Sequence, residues 1–419
     1  MLKRSWRPGK NQRWSTAGGL HALFGLIVFC LEALLPGPAT AADWDVFFAG
    51  HASLRTGLSG DVRDRFDGGP SRLRYGARAD GNRDTLLDVS EIAFEATVDT
   101  GRGLSLFAHL HHQPEDDQGI DIVRGFALYE TDLSDGLRSW VKGGAFFPGI
   151  SRENRGIGWT NSYTLTNSAG VAWIGEDVRP VGILAGLGHD GGSVSLALEG
   201  GLFFANDATG EVLALGGFAL TDIKTPLNGR TRSFDARTPG QPLSVDPFRE
   251  LDGRPGVQAL ATLQAHGLGA MSVLYWNNRG DTDDSRPGAG IWNTNFTALS
   301  GETVLPGSLT LIPTVMAGRT RNRMGLGTDF FTAALLLSRD LGPVRLAARG
   351  EAFTQDDVRA APPDPLDERG YDVTLAATGL IGTHHQIAAE IVHVHSRRQS
   401  LDNAGQDETL LQAEYRFVF

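Results

Sequence analysis

Histidine is the residue whose spacing in this sequence most directly suggests chemistry. Residues i and i+2 of a strand share one face, so two such imidazoles could bind one metal ion. No cysteine or carboxylate stands at ligand spacing in the sequence next to these histidines. We therefore predict no metal ion and no cofactor. The closely spaced histidines are His109, His111 and His112, then His384 and His385, then His393 and His395.

Nucleophilic catalysis would need a serine or another nucleophile beside a base. A lipid hydrolase built on strands would need that pair on its outer wall. His393 could point outward, but no serine is placed to accompany it. Gly-x-Gly stretches such as residues 267–269 are turn sequences, and no phosphate-binding loop is present. We predict that the chain is not an enzyme.

Charged residues of both signs recur at alternate positions of several segments. Period two places such residues on one face of a strand. Opposed charges across a water-filled lumen would order water and screen solutes by polarity and charge. The alternative is that they are paired wall residues that keep the interior wet. The acidic members are Glu91, Glu95, Glu199, Glu351, Asp372 and Glu414, and the basic members are Arg55, Arg138, Lys142, Arg345, Arg349 and Arg416.

The last segment of the chain shows most clearly which elements must position these charges. Leu411, Ala413, Tyr415, Phe417 and Phe419 fall on one face of a strand and Gln412, Glu414 and Arg416 on the other. A soluble protein could bury such an apolar face against a second sheet. The chain, however, ends on an aromatic residue without a polar tail.

Similar alternating segments of roughly ten residues recur along the chain, joined alternately by short turns and long polar loops. Seventeen are plainly visible, and a weak one at Arg230–Arg237 would restore the rhythm between residues 221 and 256. We predict an all-β fold: a single transmembrane antiparallel β-barrel of eighteen strands, with sixteen as the alternative. Both termini would then be periplasmic.

The start of the chain has the pattern of an export leader. Basic residues at 3–13 precede an apolar run at 23–31 and the small-residue site at 39–41. We expect residues 1–41 to be removed, together with Cys30, the only cysteine, leaving residues 42–419 as the barrel. The leader holds five basic and one acidic residue, so 33 basic and 48 acidic residues remain, a net charge of −15. This acidic balance is evidence against nucleic acid as a partner.

Leader, alternating strands, turn and loop rhythm and terminal Phe419 together resemble a Gram-negative outer-membrane porin, without indicating a subfamily. The resemblance implies a channel for passive diffusion of small hydrophilic or charged solutes, with Trp and Tyr at the membrane interfaces. It also implies contact with outer-membrane lipid, and Tyr415, Phe417 and Phe419 as the signal read by the barrel-insertion machinery. A homotrimer is the assembly to consider. The alternative is a non-transporting barrel, an adhesin or structural protein acting through its outer loops.

The loop at 148–179 follows the fifth strand, where general porins send a loop into the lumen. We therefore predict that it is the constriction, although an external flap against a neighbouring subunit remains an alternative. Two tryptophans in this loop should pack against a surface, and the barrel wall is the nearest one. The candidate constriction residues are Arg152, Glu153, Arg155, Trp159, Tyr163, Trp173, Glu176, Asp177 and Arg179.

Overall fold

The structure, a computed structural model, consists mostly of β-strands. It describes residues 44–78, 85–117, 119–283, 290–358, 366–398, 401 and 405–419. The predicted leader, residues 1–41, lies outside the described residues.

Eighteen strands occur in the described part of the chain. In chain order they are β1 (Asp45–Leu58), β2 (Thr85–Asp99), β3 (Leu104–His112), β4 (Asp121–Ser134), β5 (Leu137–Ala145), β6 (Val181–Asp190), β7 (Val194–Phe204), β8 (Thr231–Phe234), β9 (Pro242–Val245), β10 (Gly256–Ala265), β11 (Gly269–Asn277), β12 (Trp292–Leu305), β13 (Leu309–Asn322), β14 (Gly327–Leu341), β15 (Val344–Asp357), β16 (Glu368–Ile381), β17 (His385–Arg398) and β18 (Gly405–Val418).

Sixteen of these strands close into one antiparallel barrel, each paired with its neighbours in the chain, and β7 pairs directly with β10. The first and last strands complete the ring, in a register that runs from His51 opposite Val418 to Leu58 opposite Leu411. Closure leaves no sheet edge, so every wall strand has a partner on both sides. The backbone of Phe419 extends this pairing, since it exchanges hydrogen bonds of 2.9 and 3.0 Å with Gly50.

The prediction of eighteen barrel strands is wrong, and the alternative of sixteen is confirmed. The weak segment at Arg230–Arg237 does contain β8, but β8 pairs with β9 in a separate two-stranded sheet. Each of these strands has only four residues, whereas a membrane-spanning strand needs about 9–11. Phe234 and Val245 are buried in a small apolar cluster with Leu215 and Trp292. The apolar face of the Arg230–Arg237 segment therefore packs against the protein interior and does not face lipid.

The outer face of the barrel is apolar, as the period-two pattern predicts. Leu411, Tyr415 and Phe417 of β18 are exposed, while Gln412 and Glu414 between them are buried. Tyr75 and Tyr163 lie inside the barrel, whereas the other four tyrosines, Tyr129, Tyr275, Tyr371 and Tyr415, point outward and are exposed. Most described tryptophans do not: Trp159, Trp173, Trp276 and Trp292 are buried inside.

The interior of the barrel is occupied by three stretches of chain, which we call the first (59–78), second (146–180) and third (205–227) inner segments. They carry two α-helices, α1 (Ala169–Asp177) and α2 (Glu211–Gly216), and two short 3-10 helices, Arg65–Asp67 and Ile157–Trp159. All three begin at the end of the barrel with the long loops, the loop end; the short turns mark the turn end. Within the described residues, no helix is both long and apolar enough to cross a membrane.

An apolar core joins these segments to the wall. Trp173 of α1 and Phe218 of the third inner segment pack with Trp276, Phe296 and Phe353, which point inward from β11, β12 and β15. Leu73 of the first inner segment belongs to the same cluster and forms a parallel bridge with Leu220. Near the loop end, the inner face of the wall strands is therefore covered by the inner segments. Their outer face presents exposed apolar side chains.

Candidate functional site

The second inner segment crosses the barrel from one wall to the opposite one. It leaves β5 and returns to β6, and in the ring of sixteen strands β15 lies eight places from β5. Arg349 of β15 donates to the carbonyl of Thr166 at 2.8 Å. Glu351, on the same strand, accepts a 2.7 Å hydrogen bond from the amide of Ala169, at the start of α1. A carboxylate at a helix N-terminus is favourable because the helix dipole is positive there.

Other contacts fasten the segment around its path. Glu390 of β17 accepts from the amide of Leu165 at 2.5 Å and from the hydroxyl of Thr166 at 3.0 Å. Arg152 donates to Ser272 of β11, and Arg155 pairs with Glu302 of β12. The segment therefore touches the inner wall of the barrel on several sides.

Polar side chains within the segment hold its own folded shape. Glu153 accepts a hydrogen bond of 3.1 Å from the amide of Ser168, and Asn161 donates to its other oxygen at 3.1 Å. Asn154 bridges two turns of chain, donating to Asn167 at 3.1 Å and to the carbonyl of Trp159 at 2.9 Å. This internal network is what allows so many buried backbone groups to find partners.

The predicted aromatic residues of the segment pack differently from one another. Trp173 reaches the wall, with its ring 5.2 Å from those of Phe296 and Phe330. Trp159 stacks instead on Phe147 of the same segment, with ring centroids 3.8 Å apart. Tyr163 is buried beside the guanidinium of Arg345, 5.1 Å from its ring.

The charged residues at the end of the segment join it to the third inner segment. Asp177 accepts from the amide of Gly210 at 2.7 Å and from the indole of Trp173 at 3.0 Å, and burial raises the pKa of this carboxyl to about 7. Glu176 accepts from the hydroxyl of Thr221 at 2.6 Å. These contacts are polar links between two inserted segments, so neither can move alone without breaking them.

Arg179 stands out because it lacks a carboxylate partner among the described residues. Its guanidinium stacks 3.7 Å from the ring of Phe147 and donates to the carbonyls of Val123, Gly175 and Thr225. Burial lowers the pKa of Arg179. The side chain therefore fixes the exit of the segment through backbone acceptors and an aromatic ring.

Most predicted lumen charges lie inward and are paired with a charge of opposite sign. Glu95 accepts from Arg124 at 2.6 Å, and Lys142 lies 3.5 Å from Glu199, which also accepts from Trp140. Arg416 donates to Glu414 at 2.8 Å. Arg138 is largely exposed, 3.5 Å from Glu130, and Arg349 faces Asp372 at 3.7 Å. Glu91 belongs to a separate cluster with Lys224.

Sequence reasoning missed the charged residues of the first and third inner segments. Asp222 forms ion pairs with Arg55 of β1 at 2.8 Å and with Arg74 at 3.0 Å. Arg55 also pairs with Glu414 at 2.6 Å. Arg72 pairs with Glu368 of β16 at 2.7 Å. The neighbouring arginines hold the pKa of Asp222 well below its usual range. The available signal was weak: the first inner segment is rich in arginine and aspartate but does not alternate, and the third contains no arginine.

Open space remains at the turn end, below the second inner segment, in a cavity of about 480 Å³. Three arginines line it, Arg155 from the segment and Arg345 and Arg416 from the wall, against one carboxylate, Asp340. Arg345 donates to Asp340 at 2.7 Å and to the carbonyl of Ser162 at 2.9 Å. Arg155 and Arg416 are also paired with carboxylates, Glu302 and Glu414.

Solved structures share this fold at low sequence identity. An anion-selective porin from Comamonas acidovorans matches with a TM-score of 0.54 and 12% identity, over 90% of this chain and 100% of that chain. The outer membrane channel DcaP of Acinetobacter baumannii matches with a TM-score of 0.53 and 11% identity, over 92% and 100%. No protein-family profile and no curated protein matches the sequence. These likenesses concern the fold alone.

Proposed function

We propose that this chain, which has the closed-barrel fold of the outer-membrane porins, is a channel for passive diffusion of small hydrophilic solutes across the outer membrane of a Gram-negative bacterium. The observation that carries the proposal is the second inner segment: it joins opposite walls of the barrel and leaves a charged cavity on its turn-end side. An apolar outer face around a charged inner face is what a lipid-embedded channel requires.

The charges around that cavity favour small anions as the solutes. Arg155, Arg345 and Arg416 line it against Asp340. Although the exported chain would carry a net −15, much of that charge lies in loops. Selectivity depends on the charges nearest the narrowest part of the path. The role of the loop at 148–179 as the constriction is part of this proposal.

A second candidate is the non-transporting barrel, an adhesin or structural protein. The observation that favours it is the filled loop end, where the inner segments share one apolar core with the wall. Under the channel proposal, the same packing makes the path narrow. We further propose that the barrel has no enzymatic activity, assembles as a homotrimer and is inserted through Tyr415, Phe417 and Phe419.

Planar-bilayer recordings of the purified full barrel separate the two functions. We expect small, reproducible conductance steps and a reversal potential that favours anions in a salt gradient. Arg345→Gln should shift the reversal potential toward cations, because it removes a positive charge from the cavity and leaves Asp340 unpaired. Arg319→Gln is the matched control, since Arg319 also pairs with an aspartate, Asp329, but is exposed at the loop end of β13.

Absence of conductance steps from correctly folded wild-type barrel would favour the non-transporting function. Steps with equal shifts in both variants would keep the channel but refute the assignment of the cavity as its selective region.

A further inference from the structure

Three buried histidines and one glutamate surround a single space on the inner wall. His51 lies on β1, Glu91 on β2, and His109 and His111 on β3, and all four are at most 2% exposed. The register brings them together, because Ala93 stands between His51 and His111 across the three strands. His51 also lines the turn-end cavity, but the proposed function rests on the arginines of that cavity and does not depend on Glu91, His109 or His111.

The spacing of the ligand atoms suits a tetrahedral ion. The Nε2 atom of His51 and the Nδ1 atom of His111 each lie 3.5 Å from an oxygen of Glu91. Ligand atoms of Glu91, His109 and His111 all lie within 4.8 Å of one another. Zinc–nitrogen bonds of about 2.0–2.1 Å in a tetrahedron place neighbouring ligand atoms roughly 3.3 Å apart. Small rotations of the side chains would therefore complete the geometry.

The imidazoles lack the partners that buried polar atoms normally have. Within the described residues, both ring nitrogens of His51 and His111, and Nε2 of His109, make no hydrogen bond of ordinary geometry. The second inner segment closes over them at Gly158. A Cβ at that glycine would lie 3.1 Å from Cε1 of His51 and 3.5 Å from Nε2 of His109. The rings are thus sheltered, and among the described residues only Nδ1 of His109 has a hydrogen-bond partner.

An outer carboxylate already orients one of the rings. The Nε2 atom of His111 lies 3.3 Å from Asp116, whose carboxylate is held by a 2.7 Å hydrogen bond from the amide of Gln113. Metal-binding histidines commonly direct their second ring nitrogen to such a carboxylate. Arg124 lies 3.4 Å from Nδ1 of His109. A proton on Nδ1 of His109 breaks this long contact. The Nε2 atom of His109 is then unprotonated and can bind a metal ion.

We propose that Glu91, His109 and His111, with His51 completing the set, form a binding site for a divalent transition metal ion of the zinc class. Imidazole and carboxylate are ligands that such ions accept. In the structure described here the ammonium of Lys224 lies 2.9 Å from one oxygen of Glu91 and 3.0 Å from the other. This lysine supplies the positive charge opposite Glu91, and the metal ion replaces it on binding.

Zinc titration by calorimetry of the full-length barrel in detergent, after removal of metal with a chelator, tests the site. We expect one zinc ion per chain, and an intense visible absorption band of tetrahedral cobalt when Co²⁺ is used instead. His111→Gln should abolish both signals. Asp116→Asn should weaken zinc binding about 10- to 100-fold, the usual effect of losing an outer-shell carboxylate.

Lys224→Met gives the sharpest test because a purely structural ion pair predicts the opposite result. Removing the competing ammonium should tighten zinc binding, whereas a structural role would only loosen the fold. The matched control is the double variant His393→Gln, His395→Gln, which removes a partly exposed histidine pair beside Asp407. It should leave the stoichiometry unchanged.

Several results would overturn the proposal. These are no zinc binding by the folded wild-type barrel, loss of binding in the control, or zinc binding that Lys224→Met weakens. Heat-modifiable migration of each variant establishes that it has folded.

Discussion

At the scale of single residues, Asp177 links folding of the inner segments to pH. Its carboxyl has a pKa of about 7 in the folded barrel because it is buried, whereas an unfolded chain has the ordinary value near 3.9. Between these pH values the folded state keeps a proton that the unfolded state has released. Raising the pH through this range therefore favours unfolding, and the effect levels off above about pH 7.

Asp177→Asn should remove this dependence while keeping an oxygen that can accept from Gly210 and Trp173. We expect the difference in unfolding free energy between variant and wild type to grow in favour of the variant from about pH 4 to pH 7. Its upper bound is roughly 4 kcal/mol. Denaturant unfolding of the refolded barrel at several pH values measures it. A difference that stays constant with pH would show that Asp177 titrates normally.

At the scale of elements, the alternation of each strand determines which side chains meet lipid. Leu375 lies midway along β16, is 51% exposed and sits beside Ala348 and Ile391 on neighbouring strands. Ile381 ends the same strand and is 57% exposed. The two residues share a face and differ in depth.

Leu375→Arg should destabilise the barrel by about 2–4 kcal/mol, because a charge near the bilayer midplane is costly. Ile381→Arg, the matched control, should cost about 0–1 kcal/mol because the turn end lies near the interface. Unfolding free energies in lipid vesicles compare the two. Equal costs would mean that β16 does not span the membrane in the orientation proposed here.

At the scale of the whole molecule, the second inner segment is the longest of the three stretches inside the barrel, and we propose that it is the constriction. Replacing residues 154–172 with a short Gly-Ser linker removes its contacts with Glu351 and Glu390 and that of Thr166 with Arg349, but leaves every wall strand intact. We expect the barrel to assemble, conductance to rise and ion selectivity to weaken. Bilayer recordings give both quantities, and heat-modifiable migration reports assembly.

Unchanged conductance in the assembled deletion variant would mean that residues 154–172 do not limit the path. The first and third inner segments would then be the narrowing elements.

Local pattern was enough to determine which side chains of the wall strands face outward and which face inward. Alternation places Leu411, Tyr415 and Phe417 outward and Glu414 inward, because adjacent residues of a strand necessarily face opposite sides. The same rule identified most inward charges. It failed for the strand count because the segment at Arg230–Arg237 also alternates, and period two does not reveal whether the apolar side meets lipid or protein.

Only the tertiary structure decided which segments and contacts fill the interior of the barrel. Asp222 forms ion pairs with Arg55 and Arg74, and Arg55 also pairs with Glu414, although these residues are far apart in sequence. His109 and His111 share a face by their spacing, but Glu91 reaches them only through the register of β2 with β3. Contacts of this kind depend on barrel closure and on the path of the inner segments. A pattern of near neighbours carries no information about either.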